Sequence, residues 1–325
     1  MILRSKTVWA GLTALLASAL VLGSCKGDKP DKVAVGIAIG SYVHAVAWVG
    51  DEAGHFREAG VEAEVTVMGG SAATMRTLIA DQVDIGLAGG DAVLKANAAG
   101  ADLVIIGGLV DRFYHRIVAR EGVDDSASLR GKRIGLPFLG GPQDMAVKVA
   151  LLELGLDYES EVDVVSLGRE FNRMAALQNG DIDATTSQSP DSVLAKLGLH
   201  VLVDLPATDR KFPYIVIVAR RSWLTSHRKQ AKAVIAGLCA ATVDYRSDED
   251  KSLAVIGRHL GNADIDGAAR ERYRNGGPTL LTFPPRADVE SLEFVVELMG
   301  AAKTDVAAMV DHTLLDEVIA AGKCQ

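Results

Sequence analysis

The sequence predicts an α/β fold built as two lobes, each a mostly parallel sheet covered by helices. From residue 33 onward, short apolar runs alternate with helical patterns, the signature of strands wound against helices. A chain of 325 residues with 49% hydrophobic content is also long for a single core. Finally, one stretch of the pattern recurs in the second half of the chain.

The strand-like runs are 33–39, 64–67, 83–87, 103–106, 133–136, 162–165, 182–184 and 200–203. Two more, 115–120 and 214–220, stand apart, because they are β-branched, carry basic residues and follow no clear helix. Beyond residue 220 the chain reads as mainly helical, with amphipathic runs at 229–244, 288–298 and 304–321.

The recurrence pairs VDIGLAGGDAVLKANAAGADLVI, starting at Val83, with IDATTSQSPDSVLAKLGLHVLV, starting at Ile182. With one residue inserted in the loop, Val83 and Asp84 match Ile182 and Asp183, and Asp91 matches Asp191. Two lobes on one plan would bring equivalent loops to one cleft, since ligands of open α/β sheets bind beyond the carboxyl ends of the strands. The loops so placed contain Tyr42 and His44, then Gly70, Ser71 and Ala72, then Gly90 and Asp91, then Gly140 and Gly141, and last Ser187 and Gln188. These residues are the predicted ligand contacts.

Their chemistry points to recognition. After VTVMGGSAATMRTL no lysine follows the glycines, so the stretch is no P-loop, and Ala73 stands where a nucleophile elbow needs glycine. GIAIGSYVH lacks the third glycine of a dinucleotide fingerprint. The seven histidines are scattered without chelating spacing, so neither a metal nor a cofactor is expected. What remains for the glycines is an anion or dipole site at helix N-termini, where free N–H groups point at the ligand and glycine lets the backbone approach. Pro142, after Gly141, suits a first helical position. Asp91 is a candidate partner for a ligand amine, yet an aspartate there is also a common helix cap, and its echo at Asp191 favours the cap.

A formal charge of −8 argues against nucleic acid as a partner. Arg4 and Lys6 precede an apolar run over 8–21, too short to span a membrane comfortably, which reads as an export signal over residues 1–24. It ends in Leu22-Gly23-Ser24-Cys25, which resembles the bacterial lipobox. Cys25 is then the lipidation site, residues 25–32 a tether, and the attachment a membrane anchor through acyl chains. An ordinary secretory signal with a coincidental cysteine is the alternative. Cys239 reads as core packing, and whether it pairs with Cys324 stays open.

DEAGHFREAGVEAEV at 51–65, LRGKRIGL at 129–136 and QNGDIDAT at 178–185 together resemble the nitrate, sulfonate and thiamine-precursor group of ABC-transporter solute-binding proteins. The likeness covers most of residues 33–221. It implies a periplasmic-binding fold of type II: two α/β lobes joined by two crossing strands, closing on a small solute and presenting it to a permease and its ATPase. On that plan 33–116 and 216–325 form lobe 1, 117–215 form lobe 2, and the runs at 115–120 and 214–220 are the crossings. The implied protein is an exported monomer without catalytic activity. Its alternatives are an enzyme of the same fold acting on a thiamine precursor, and a lipid-anchored sensor module. Few aromatics lie near the expected mouth (Tyr42, Trp48, Phe113, Tyr114 and Phe138), and the five loops hold no arginine, although Arg112 is close in sequence.

Overall fold

The computed structural model describes residues 30–208, 210–261, 267–300 and 304–325, so the predicted export signal and Cys25 lie outside the described residues. The strands are β1 (Asp31–Ile37), β2 (Val61–Val67), β3 (Ile85–Ala88), β4 (Leu103–Arg112), β5 (Arg116–Arg120), β6 (Arg133–Leu136), β7 (Asp163–Ser166), β8 (Ala184–Ser187), β9 (Leu199–Val203) and β10 (Lys211–Arg220). They form two five-stranded sheets, ordered β2-β1-β3-β10-β4 and β7-β6-β8-β5-β9. In each sheet the first three strands run parallel and the fourth antiparallel to its neighbours. Central strands such as β3 and most of β10 are buried along their length, as expected when helices cover both faces. Edge strand β2, VEAEVTV, instead exposes its glutamates.

The recurrence in the sequence has a physical cause. The Asp84 carboxylate accepts from the Ala34 N–H at 2.8 Å, and its own N–H donates to the Ala34 carbonyl. Asp183 makes the same two bonds with Arg133, its carboxylate accepting at 2.9 Å. In both lobes the aspartate satisfies an otherwise unpaired strand N–H where the third strand joins the first.

Three expectations need correction. The runs at 115–120 and 214–220 are ordinary ladder strands: β5 lies between β8 and β9 in the second sheet, and β10 between β3 and β4 in the first. The chain crosses between lobes from β4 to β5, at 113–115, and from β9 to β10, so residues 211–215 belong to the first sheet, not to lobe 2. The strand expected at 182–184 lies at Ala184–Ser187, because Thr185, Thr186 and Ser187 are buried with their hydroxyls bonded to Gly135, Gln143 and Glu170. The helical run expected at 304–321 is α-helical only over Thr313–Ala320, with a single 3-10 turn at Ala307–Met309, since Val310 bridges to Ile105 and the Asp311 carboxylate accepts from the Thr313 N–H.

Cys239, inside the helix Arg221–Ser247, forms a disulfide with Cys324. It ties the tail to the longest helix. No helix among the described residues is long and apolar enough to cross a membrane.

Candidate functional site

The carboxyl ends of β1, β3, β6 and β7 open on a cleft between the sheets. Its narrow recess, about 360 Å³, is walled by His44, the turn from Gly69 to Ala73, Gly89, the segment from Pro137 to Gln143, and Tyr214. A wider recess of about 610 Å³ shares Ile39, Gly69, Pro137, Phe138 and Gln143 with it and extends past Tyr42, Trp48, Tyr114, Arg169, Glu170, Phe171, Arg173, Gln188 and Arg272. The two form one continuous cleft.

Two helices begin at the narrow recess, one from each lobe. In lobe 1 Gly70, at φ 122°, caps the helix Ser71–Ile79. That backbone conformation favours glycine, and it turns the chain so that the first-turn N–H groups of Ser71, Ala72 and Ala73, which have no partner within the helix, stand on the recess wall. The Ser71 hydroxyl is occupied, accepting from the Gly89 N–H at 3.0 Å. It fastens one turn to the other. In lobe 2 Gly141 caps the helix Pro142–Glu153, with Pro142 at its start. The Asp144 carboxylate accepts from the Gly140 N–H at 2.8 Å and holds that turn in place.

His44 is buried on the same wall, its Nδ1 2.8 Å from the Ser41 hydroxyl and its Nε2 without a partner. Burial lowers its pKa to about 4, opposed in part by the Leu87 carbonyl, so the ring is neutral at physiological pH. In the tautomer where the Ser41 hydroxyl donates to Nδ1, the proton sits on the buried Nε2, on the ring that also feels the Leu87 carbonyl. The serine–histidine pair superficially suits nucleophilic catalysis. No group orients Nε2, however, and a base with a pKa near 4 takes up protons poorly at neutral pH.

His115, in the first crossing segment, is the hub of the cleft floor. Its Nδ1 lies 2.8 Å from the Tyr214 hydroxyl, and its Nε2 lies 3.0 Å from Gln143 Nε2 and 2.9 Å from Gln188 Nε2. Gln143 already accepts from Thr186 through its amide oxygen, so its NH₂ faces the ring and His115 Nε2 is the acceptor. Burial, helped by the Arg173 charge, lowers the His115 pKa to about 3 and keeps this neutral network intact.

Of the sequence-predicted residues, the cleft brings together Tyr42, His44, Gly70, Ser71, Ala72, Gly140, Gly141 and Gln188. Three lie elsewhere. Gly90 packs against Pro213 and Leu292 inside lobe 1, and its neighbour Gly89 faces the recess instead. Asp91 is fully buried behind the wall, bonded to Lys95 rather than capping its helix. Its echo Asp191 is exposed and paired with Arg116, so the two aspartates are not equivalent. Ser187 ends β8, its hydroxyl donating to Glu170 at 2.6 Å. Phe113 turns inward to stack on Phe212, and Arg112 pairs with Asp111.

Sequence reasoning missed Gln143, Arg169, Glu170, Phe171, Arg173, Tyr214 and Arg272. The wall is thus more aromatic and more basic than the loops suggested. Among the described residues no group of His, Cys, Asp and Glu side chains could hold a metal ion.

The family model described as NMT1/THI5 like matches residues 41–249. YtlA of Bacillus subtilis, named as a candidate binding protein, is 26% identical over 217 residues, covering 65% of this chain and 65% of YtlA. The periplasmic aliphatic sulphonate binding protein SsuA from Escherichia coli superposes with a TM-score of 0.68 at 20% identity, covering 88% of this chain and 99% of SsuA. The periplasmic nitrate-binding protein NrtA from Synechocystis PCC 6803 gives 0.72 at 12% identity, covering 91% of each chain. At those identities the two structures establish the shared fold.

Proposed function

This chain belongs to the NMT1/THI5-like family, and from that premise we propose that it is the exported solute-binding component of an ABC importer, closing its lobes on a small anionic organic solute. The observation that carries this reading is the narrow recess, where two helix N-termini from opposite lobes and the unpartnered Nε2 of buried His44 converge. Each such N-terminus contributes roughly 0.3 to 2 kcal/mol toward a bound anion, more where water is excluded. Closure adds apolar contacts from Phe138 and Leu139, exposed here on the lobe 2 rim. Delivery to a permease and its ATPase, anchoring through Cys25, and a monomeric state complete the proposal.

Tyr42, His44, Gly70, Ser71, Ala72, Gly140, Gly141 and Gln188 remain the proposed contacts. The disulfide between Cys239 and Cys324 supports an oxidising, extracytoplasmic location. The test is calorimetric titration of the mature protein with nitrate, alkanesulfonates, arenesulfonates and aromatic carboxylates. Micromolar binding of at least one anion without its chemical conversion is expected. A solute consumed by the protein overturns the reading in favour of an enzyme.

A further inference from the structure

We infer that the wider recess receives a second anionic group of the same ligand, so that the preferred solute carries negative charge at both ends of an apolar body. This rests on the reading of the narrow recess as an anion site. Among the described residues, arginines characteristically end on a carboxylate, as Arg116, Arg120, Arg258, Arg270 and Arg274 do. The exceptions are Arg76, Arg169, Arg173, Arg246 and Arg272, and all but Arg246 line the cleft. Carboxylates are not scarce, since the chain has 42 acidic residues against 34 basic ones. Only one, Glu170, lines this cleft.

In the wider recess Arg272 projects from lobe 1, on the helix Gly267–Gly276, while Arg169 and Arg173 project from lobe 2. The single carboxylate on that wall, Glu170, accepts from the Ser187 hydroxyl at 2.6 Å and from the Ser189 hydroxyl at 3.3 Å. Arg173 is buried and held by Thr185 and by the Gly168 and Thr186 carbonyls; Glu170 is the carboxylate whose charge reaches it, but the two form no direct ion pair. Like charges on facing lobes oppose closure of the empty cleft, and an anion between them turns that repulsion into a bridge. The wider recess is also lined by Tyr42, Trp48, Phe138 and Phe171, of which Phe138 lines the narrow recess too, and these rings suit an aromatic or aliphatic spacer.

The experiment is calorimetric titration with matched pairs differing only in a far carboxylate: benzenesulfonate against para-sulfobenzoate, and propanesulfonate against sulfopropanoate. The wild type should prefer the doubly charged member by about tenfold or more at low ionic strength, and the preference should shrink as salt screens it. In Arg272→Gln and Arg169→Gln the ratio should fall toward one. Neither side chain forms a hydrogen bond or ion pair with another of the described residues, so thermal melting should show both variants folded. Equal affinity for the two members in the wild type overturns the inference, as does a ratio that survives both substitutions. If none of the four probes binds, the anion reading of the narrow recess falls first and carries this one with it.

Discussion

Gly89→Ala isolates the contact between the lobes. Gly89 sits at φ −64° and ψ 136°, a backbone that alanine adopts freely, so the substitution acts through its methyl group alone. That methyl would stand 2.6 Å from Pro142 Cγ on the opposite lobe and 2.4 Å from Asp91 Oδ1 within its own. Carbon atoms pack at about 3.5 to 4.0 Å, so the overlap with Pro142 is about 1 Å. Rotating the Asp91 side chain relieves the contact inside lobe 1. The proline ring is fixed in the first turn of its helix, so the other contact is relieved only by holding the lobes apart. Overpacking of this kind costs about 1 to 3 kcal/mol, or about 5- to 150-fold in affinity where the ligand requires the closed cleft. Titration with an anion that binds the wild type should show that loss, and small-angle scattering should show a more open ligand-bound state. Affinity within twofold of the wild type would mean that the lobes do not meet at Gly89 when ligand is bound.

Other perturbations test separate parts of the structure. Gly70→Asp places a carboxylate at the anion-facing turn, in a backbone at φ 122° that resists any side chain, and should abolish binding; Gly70→Ala, measured in parallel by titration, separates strain from charge. Ser71→Ala strips the acceptor from the Gly89 N–H and should lower stability by about 1 to 3 kcal/mol in urea unfolding. His44 and His115 both have folded pKa values far below 6.5, so the unfolded chain binds more protons and stability present above pH 6.5 is lost as pH falls toward 4. The slope should be on the order of 1 kcal/mol per pH unit for each histidine, and thermal melts from pH 7 to 5 should flatten in His44→Gln. Replacing Cys239 and Cys324 together by serine releases a loop spanning 85 residues and should cost about 4.5 kcal/mol relative to the oxidised wild type in denaturant unfolding, whereas the reduced wild type should unfold like the variant.

The strands were legible because most are continuous apolar runs, and the recurrence at Asp84 and Asp183 was legible because both lobes need the same strand N–H satisfied. The shift in β8 was not, because the hydroxyls of Thr185, Thr186 and Ser187 find partners far away in the chain, and only those partners make such residues interior. The glycine turns at Gly70 and Gly141 could be read from local chemistry, as positive φ and helix starts are. Gly90 and Gly89 differ by which way one residue faces, which no pattern records. The basic wall came from Arg169, Arg173 and Arg272, residues placed by the second lobe and by a late helix, and only the fold brings them beside the loops.

The position of β10 in the first sheet also orders assembly in time. β4 touches no strand of that sheet except β10, and β10 follows the whole of lobe 2 in the chain. An emerging polypeptide can therefore complete its second sheet, β5 to β9, while the first still presents β3 and β4 as open edges. The amino-terminal lobe is begun first and finished last, and the disulfide at Cys324 can close only when the tail arrives.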